Sequence, residues 1–556
     1  MKISMAADGL ETISFKRQSN TLVPISRVPP EVLCIIFLLV KSTSGAENEY
    51  GRKPLDWVKL THVCHWWREV GLLTPFLWNV IDIDYPRWAD EMLTRSKENP
   101  LTVTADLSSK KDKSFQTLQR TLRHISRIRE LNLGGVSRRN LLDMFDPSAL
   151  RQELPLHTLR LVSNLKADEL NTIVFPDTLG NFGSQLTSLR RLALTSFAFN
   201  WNACHALRHL THLRLCNLPY DLPCYAIDTF LEALQEMSAL VMLDYEKYTP
   251  TGFKESDSTL SNARKIPSFP LPHLKYIRLA LESHPLSIIL SAIRLPFDVV
   301  IDLFGYDETS STSALLILPT LSAHLQPSNA AHRKILTLAF DAYDFSECKV
   351  QSWSTNLSQK DIWTSCILPS MAAIFSWDQW DEDSNLAFLH GLFNYMRLDC
   401  LVTLSLSPTL PLGAATWATT FGALPALEFL DIAGDNTPGV FEALTYPIST
   451  ESSKRFPSLH SISITGLEFE TASPLEDCMI EALIERYELG LEISELIFKD
   501  CLYFPNGQFN LFRQIVVNVE IVVEDPFAPV SCPETELHPL FGDSVGPMVD
   551  PLHFWS

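Results

Sequence analysis

No apolar run in this 556-residue chain reaches the roughly 18 residues that a bilayer-spanning helix needs. The greasiest stretch near the N-terminus, Val32 to Val40, follows Pro29-Pro30-Glu31 directly, with no small-residue cleavage site behind it. It reads as a buried helix rather than a signal peptide. Phosphate-cradling and hydrolase signatures are missing as well: there is no GxGxxG, GxxxxGK[ST] or GxSxG, which removes the positive evidence for nucleotide or acyl chemistry. The 11 cysteines form no CxxC pair and no regular framework. This fits reduced thiols in the cytoplasm or nucleus. Positive charge is short, 45 Lys and Arg against 65 Asp and Glu, for a net −20. Such a chain gains little from phosphates, and nucleic acid is a poor candidate partner. The one local basic group, Arg120, Arg123, Arg127 and Arg129, reads as the solvated face of a helix. The triplet Asn356-Leu357-Ser358 is a weak glycosylation signal.

The chain is otherwise rich in the material of a folded core, with 46% hydrophobic and 20% charged residues. Its length exceeds one compact core. The texture divides it into a polar tail over 1–25, a helical stretch over 26–85, alternating strand-like and helical pieces over 100–523, and a Pro-rich tail over 525–556.

In the helical stretch, Ser26 is placed to cap the first helix, and Pro29, Pro30 and Glu31 suit its first turn. Leu33, Ile36, Phe37 and Val40 make one apolar stripe. Val32, Ile35 and Leu39 make another on the opposite side. A helix apolar all round needs cover all round. A second helix is predicted over Leu55 to Val70, with Trp57, Leu60, Val63, Cys64 and Trp67 as its stripe. A short third helix follows in Thr74-Pro75-Phe76-Leu77-Trp78. A unit of this size buries only about 60% of its unfolded-chain surface. The second stripe of the first helix therefore asks for another cover, either a foreign protein or the following domain.

The ordered set Val28-Pro29-Pro30-Glu31-Val32-Leu33, Ile36-Phe37, Leu60-Thr61-His62-Val63-Cys64-His65-Trp66-Trp67-Arg68-Glu69-Val70 and Thr74-Pro75-Phe76-Leu77-Trp78 resembles an F-box domain of the fungal type. It departs from that pattern at Val28, where leucine is usual, and in a longer polar loop from Lys41 to Pro54. The resemblance implies docking to the Skp-type adaptor of a cullin-containing ubiquitin ligase. Pro29, Pro30, Leu33, Ile36 and Phe37 would line the contact, and Val63, Cys64, Trp67 and Trp78 would support it.

Further along, a loose repeat recurs. Its copies include Ile128–Leu133, Leu156–Leu161, Leu186–Leu194, Leu210–Asn217, Leu271–Leu279, Leu424–Ile432 and Phe456–Ile464. Leu210–Asn217 is nearest the leucine-rich consensus LxxLxLxxN. A leucine pair brings the chain into the core, and alternation such as Leu213-Arg214-Leu215 makes a strand with one buried face. Helical stretches such as Ala226 to Leu240 and Leu475 to Tyr487 lie between copies. The spacing is uneven, 24 residues from Leu189 to Leu213 but 34 from Leu240 to Leu274. Val299–Leu303, Ile335–Phe340 and Leu401–Leu406 keep the strand without the leucine pair. The expected architecture is α/β: a three-helix F-box-like module followed by an irregular leucine-rich-repeat-like solenoid with parallel strands. An ordinary α/β domain with repetitive strands is the competing architecture.

The expected role is a non-catalytic substrate adaptor, holding an unknown target protein on the strand face. Arg190, Arg214, Lys275 and Arg278 are its candidate target contacts, or else ordinary solvent-facing strand residues. The alternative is an interaction scaffold in which the N-terminal helices cap the solenoid. No cofactor, metal or membrane is implied. His62-Val63-Cys64-His65 points its side chains to different helix faces. Cys204-His205 with His209 and His212 reads as repeat surface and core. The acidic loop Trp377–Asp383 lacks the glycine of a calcium loop.

Overall fold

The computed structural model describes residues 18–20, 22–44, 55–108, 112–144, 154–163, 174–175, 186–201, 207–218, 227–247, 267–307, 314–325, 334–343, 347–357, 362, 369–377, 382–396, 398–406, 412–445, 455–469, 474–502 and 506–523. The expected tails fall largely outside this set. The chain is a mixed α/β protein dominated by parallel sheet. Among the described residues no helix is long and apolar enough to cross a membrane. The chain divides into two compact units, one running to Leu215 and one starting at Cys216.

The first unit begins with a 3-10 turn, Pro24–Arg27, and helix α1, Pro30–Ser44. Ser26 does not cap α1. It sits within the 3-10 turn, and its hydroxyl donates to the Asn20 carbonyl at 2.6 Å. The predicted Leu55–Val70 helix is broken in two. A 3-10 helix, Asp56–His62, is separated from α2, His65–Leu73, by an extended Cys64 whose Sγ accepts from the Trp67 amide at 3.5 Å. A capping side chain starts a new helix here, which hydrophobic spacing alone does not register. The 3-10 turn Pro75–Trp78 runs straight into strand β1, Val80–Asp82.

Helix α3, Pro86–Arg95, leads to β2, Leu101–Asp106, and α4, Asp112–Leu122, leads to β3, Ile128–Val136. Strands β4, Thr158–Ser163, and β5, Arg191–Thr195, continue the series. The order β1-β2-β3-β4-β5 is parallel throughout. The four arginines expected on one helix are dispersed. Arg120 lies in the last turn of α4 and pairs with Asp90, Arg123 follows the helix end, Arg127 donates to the Asn99 carbonyl and the Ser96 hydroxyl, and Arg129 lies on β3 and donates to the Pro155 carbonyl.

The second unit opens with α5, Ile227–Glu236, and β6, Met242–Glu246. There follow β7, Tyr276–Glu282; β8, Val300–Asp307; β9, Thr337–Tyr343; β10, Glu347–Trp353; β11, Met371–Trp377; β12, Thr403–Leu406; β13, Phe429–Ala433; β14, Ser461–Thr465; β15, Glu495–Lys499; and β16, Asn518–Val522. Strands β6, β7 and β8 pair in parallel, and so do β12 through β16. Between them the chain doubles back. β11 lies parallel beside β8, β10 is antiparallel to both β11 and β9, and β9 is parallel to β12. The run of parallel strands is thus interrupted by a three-stranded meander where the leucine pair fades from the sequence.

The repeat has a physical signature in both units. A tight turn closes from Leu189 to Leu186, Leu210 to Leu207, Leu240 to Met237, Leu274 to Leu271, Leu401 to Leu398 and Leu459 to Phe456. Each such leucine is buried, as are the strand residues behind it. One carbonyl then accepts two successive amides of the next copy. His157 takes Arg190 and Arg191, Arg190 takes Thr211 and His212, Val402 takes Glu428 and Phe429, and His460 takes Ser494 and Glu495. The turn buries the leucine, and the forked carbonyl stacks one copy on another. Helices pack on the strands through aromatic pairs. Tyr245 stacks on Phe230 of α5 at 4.5 Å, and Phe498 packs on Phe512 at 5.7 Å.

Helix α6, Pro474–Glu488, supplies a further lock. Its Arg486, 1% exposed, donates to the carbonyls of Arg455, Phe456 and Leu459, each at 3.1 Å. Phe456 has a left-handed backbone, φ 47°, a strained state for a bulky residue. Burial pulls the guanidinium down to about 10. Arg486→Met strands three carbonyls and releases that turn. The expected loss is about 3 kcal/mol, read as a lower urea midpoint at an unchanged slope. An unchanged midpoint contradicts the locking role.

Candidate functional site

Helix α1 is divided along its length. Leu33 and Phe37 are fully buried within the first unit. Phe37 packs on Trp67 with ring centroids 5.3 Å apart, and Trp57 meets Trp78 edge-on at 5.0 Å. The Trp78 indole donates to the Gly71 carbonyl at 2.8 Å. The opposite stripe stays outside: Val32 is 45% exposed, Ile35 56% and Leu39 62%. Leu38, Val63, Leu73 and Phe76 are further exposed apolar side chains of the same helical module.

This placement redistributes the residues expected to dock a partner. Pro29 and Pro30 are exposed and Ile36 is half-buried. Leu33 and Phe37, expected in the contact, belong instead to the interior, because a small module spends its largest side chains on its own core. Trp78 is buried and Trp67 half-buried. Cys64 is half-buried and acts as the helix cap. Val63 is 60% exposed. Val32 and Ile35 carry the outward face, and their stripe was legible in the helical period.

Of the target-contact candidates, Arg190 and Arg214 lie in the first unit, and Lys275 and Arg278 in the second. Arg190 is exposed and folds back onto the Leu189 carbonyl at 3.1 Å. Arg214 is half-buried on the strand His212–Cys216. Lys275 is exposed and pairs with Asp298. Arg278 lies only 14% exposed between Asp244 at 3.1 Å, Glu246 at 3.0 Å and Asp302 at 3.8 Å.

The strand register explains that last cluster. Asp244, Arg278 and Asp302 are direct neighbours across β6, β7 and β8, and the Tyr276 hydroxyl donates to Asp302 at 3.0 Å. Burial works against the Arg278 charge, but the three carboxylates hold it above the usual arginine range. Burial pushes the Asp302 carboxyl up, against the pull of Arg278, Tyr276 and Lys349. Arg278 is therefore committed within the chain. The signal for its partners is the apolar-charged-apolar triplet repeated in Leu243-Asp244-Tyr245, Ile277-Arg278-Leu279 and Ile301-Asp302-Leu303.

Among the described residues no group of histidine, cysteine and carboxylate side chains is placed to hold a metal ion. Cys204, His205 and the loop 378–381 lie outside them. His212 is buried beside Thr211, and burial with the nearby Arg191 charge brings its imidazole down to about 4. No family model matches the chain, and neither does any curated protein.

Lys41, in the last turn of α1, is half-buried. Its Nζ donates to Asn79 Oδ1 at 3.0 Å and stands 5.9 Å from the Trp57 ring centroid. Burial lowers it from the ordinary lysine value of 10.5 to about 8. Between those two pH values the unfolded chain holds a proton that the folded chain has released. Stability thus rises with pH through the window, and the full cost of burying the charge is felt below pH 8. Lys41→Met is expected to stabilise the protein at pH 7 by about 2 kcal/mol and to flatten the pH dependence. Thermal melts from pH 7 to 11 read both, and a destabilised variant contradicts the assignment.

Proposed function

We propose that the chain is a non-catalytic adaptor of a Skp–cullin–F-box type ubiquitin ligase. The outward stripe of α1 docks the Skp-type adaptor, and the leucine-rich-repeat-like sheet holds a target protein. The observation that carries the reading is the exposed row Val32, Ile35 and Leu39 on a helix whose Leu33 and Phe37 are already buried on the other side. A large side chain moved from water into a contact gains roughly 1.5–3 kcal/mol. Such a row is stable in water mainly as half of an interface. The F-box-like order of residues around it names the partner class. In this reading the protein breaks no bonds itself, works in the cytoplasm or nucleus, and raises the effective concentration of a target beside a bound ubiquitin-conjugating enzyme.

A scaffold without a ligase link is the second reading. It is favoured by the placement of the helical module in one compact unit with the first five strands. Binding of a purified Skp-type adaptor by the full chain separates the two. The wild type is expected to bind, and Val32→Asp with Ile35→Asp to weaken binding more than about a hundredfold at an unchanged melting temperature. Outward positions are the proper choice, since Leu33→Ala would hollow the interior. Absent wild-type binding, or equal binding by the variant, selects the scaffold.

A further inference from the structure

We infer that Lys41 and Arg95 are positioning residues that fix the exposed helix α1 against the sheet of the first unit. The functional meaning rests on the docking reading above, whereas the geometry does not. No linker separates module from sheet: Trp78 is followed by Asn79, and Val80 already pairs with Thr102 of β2. Two ties cross this short join. In one, Lys41 reaches from α1 to the Asn79 side chain, and the Asn79 carbonyl accepts the Thr102 amide at 3.0 Å. The path from α1 to the second strand is therefore two hydrogen bonds and one residue long. In the other, the Arg95 guanidinium at the end of α3 lies 4.3 Å from the Trp78 ring centroid, with Glu91 holding its Nη2 at 2.6 Å. Trp78 in turn meets Trp57, which packs under Lys41.

The choice of lysine supports a positional role. A half-buried ammonium whose hydrogen-bond partner here is a neutral amide costs stability, and an apolar side chain of similar length would pack there without that cost. What lysine adds is a directed bond to the residue that starts β1. A partner docked on Val32 and Ile35 would then be carried at one fixed distance and angle from β1 and β2.

The test uses the full-length protein with spin labels on non-canonical amino acids at Glu31 of α1 and Gln116 of α4, which leaves the native cysteines untouched. Pulsed dipolar spectroscopy is expected to give one narrow distance distribution in the wild type. In Lys41→Met with Arg95→Met it should be at least twice as broad, while circular dichroism and melting temperature show an intact fold. Lys41→Arg, which keeps the donor, is expected to restore the narrow distribution beside native Arg95. A broad or two-peaked wild-type distribution overturns the inference, and so does an unchanged width in the double variant. Neither result depends on whether a Skp-type adaptor binds, so failure here is distinguishable from failure of the docking reading.

Discussion

Helix α1 has more apolar surface than a module of its size can cover, and the module resolves the conflict by choosing a side. Leu33 and Phe37 go inward, Phe37 against Trp67 and the close approach at Gly71, where a Cβ would lie 3.6 Å from the Phe37 ring and 2.9 Å from Thr61. Trp57 and Trp78 fill the rest of that interior. Val32 and Ile35 are left facing out. Area removed from water is the dominant favourable term in small domains, so the exposed row is where the module's stability is incomplete and where association would add to it.

The sheet obeys a different constraint, that of stacking. Each copy buries a leucine through a tight turn and hands a forked carbonyl to the next, so its apolar face is covered by its neighbours and helices. The opposite side of the strands carries polar residues whose register forces them into pairs. Asp244, Arg278 and Asp302 are adjacent because β6, β7 and β8 are aligned residue for residue, and Ser405 donates to Asp431 at 2.8 Å across β12 and β13 for the same reason. The Arg278 charge on that face is committed to Asp244, Glu246 and Asp302.

Much of this was legible in the residues. Alternation in Leu213-Arg214-Leu215 and the leucine pair ahead of it located the strands, because a half-buried parallel strand has to alternate and its turn has to be apolar. The two stripes of α1 followed from helical period. Which stripe would be interior did not, since Leu33 and Val32 are equally apolar and only the positions of Trp67 and Trp57 decide between them. The break at Cys64 was hidden because a cysteine cap leaves the 3.6-residue spacing of the tryptophans intact. The meander of β9, β10 and β11 was hidden too, because an antiparallel strand and a parallel one alternate alike. The ties of Lys41 to Asn79 and Arg486 to three carbonyls join residues 27 to 38 positions apart, a separation at which no local pattern speaks.

Hydrogen–deuterium exchange of the full-length chain, with and without a purified Skp-type adaptor, examines the exposed row of α1 most directly. The account predicts slowed exchange confined to peptides covering Pro24–Ser44 and Val63–Trp78, with the strands of both units unchanged. Slowing that spares α1, or exchange identical in the two samples at saturating adaptor, would contradict it.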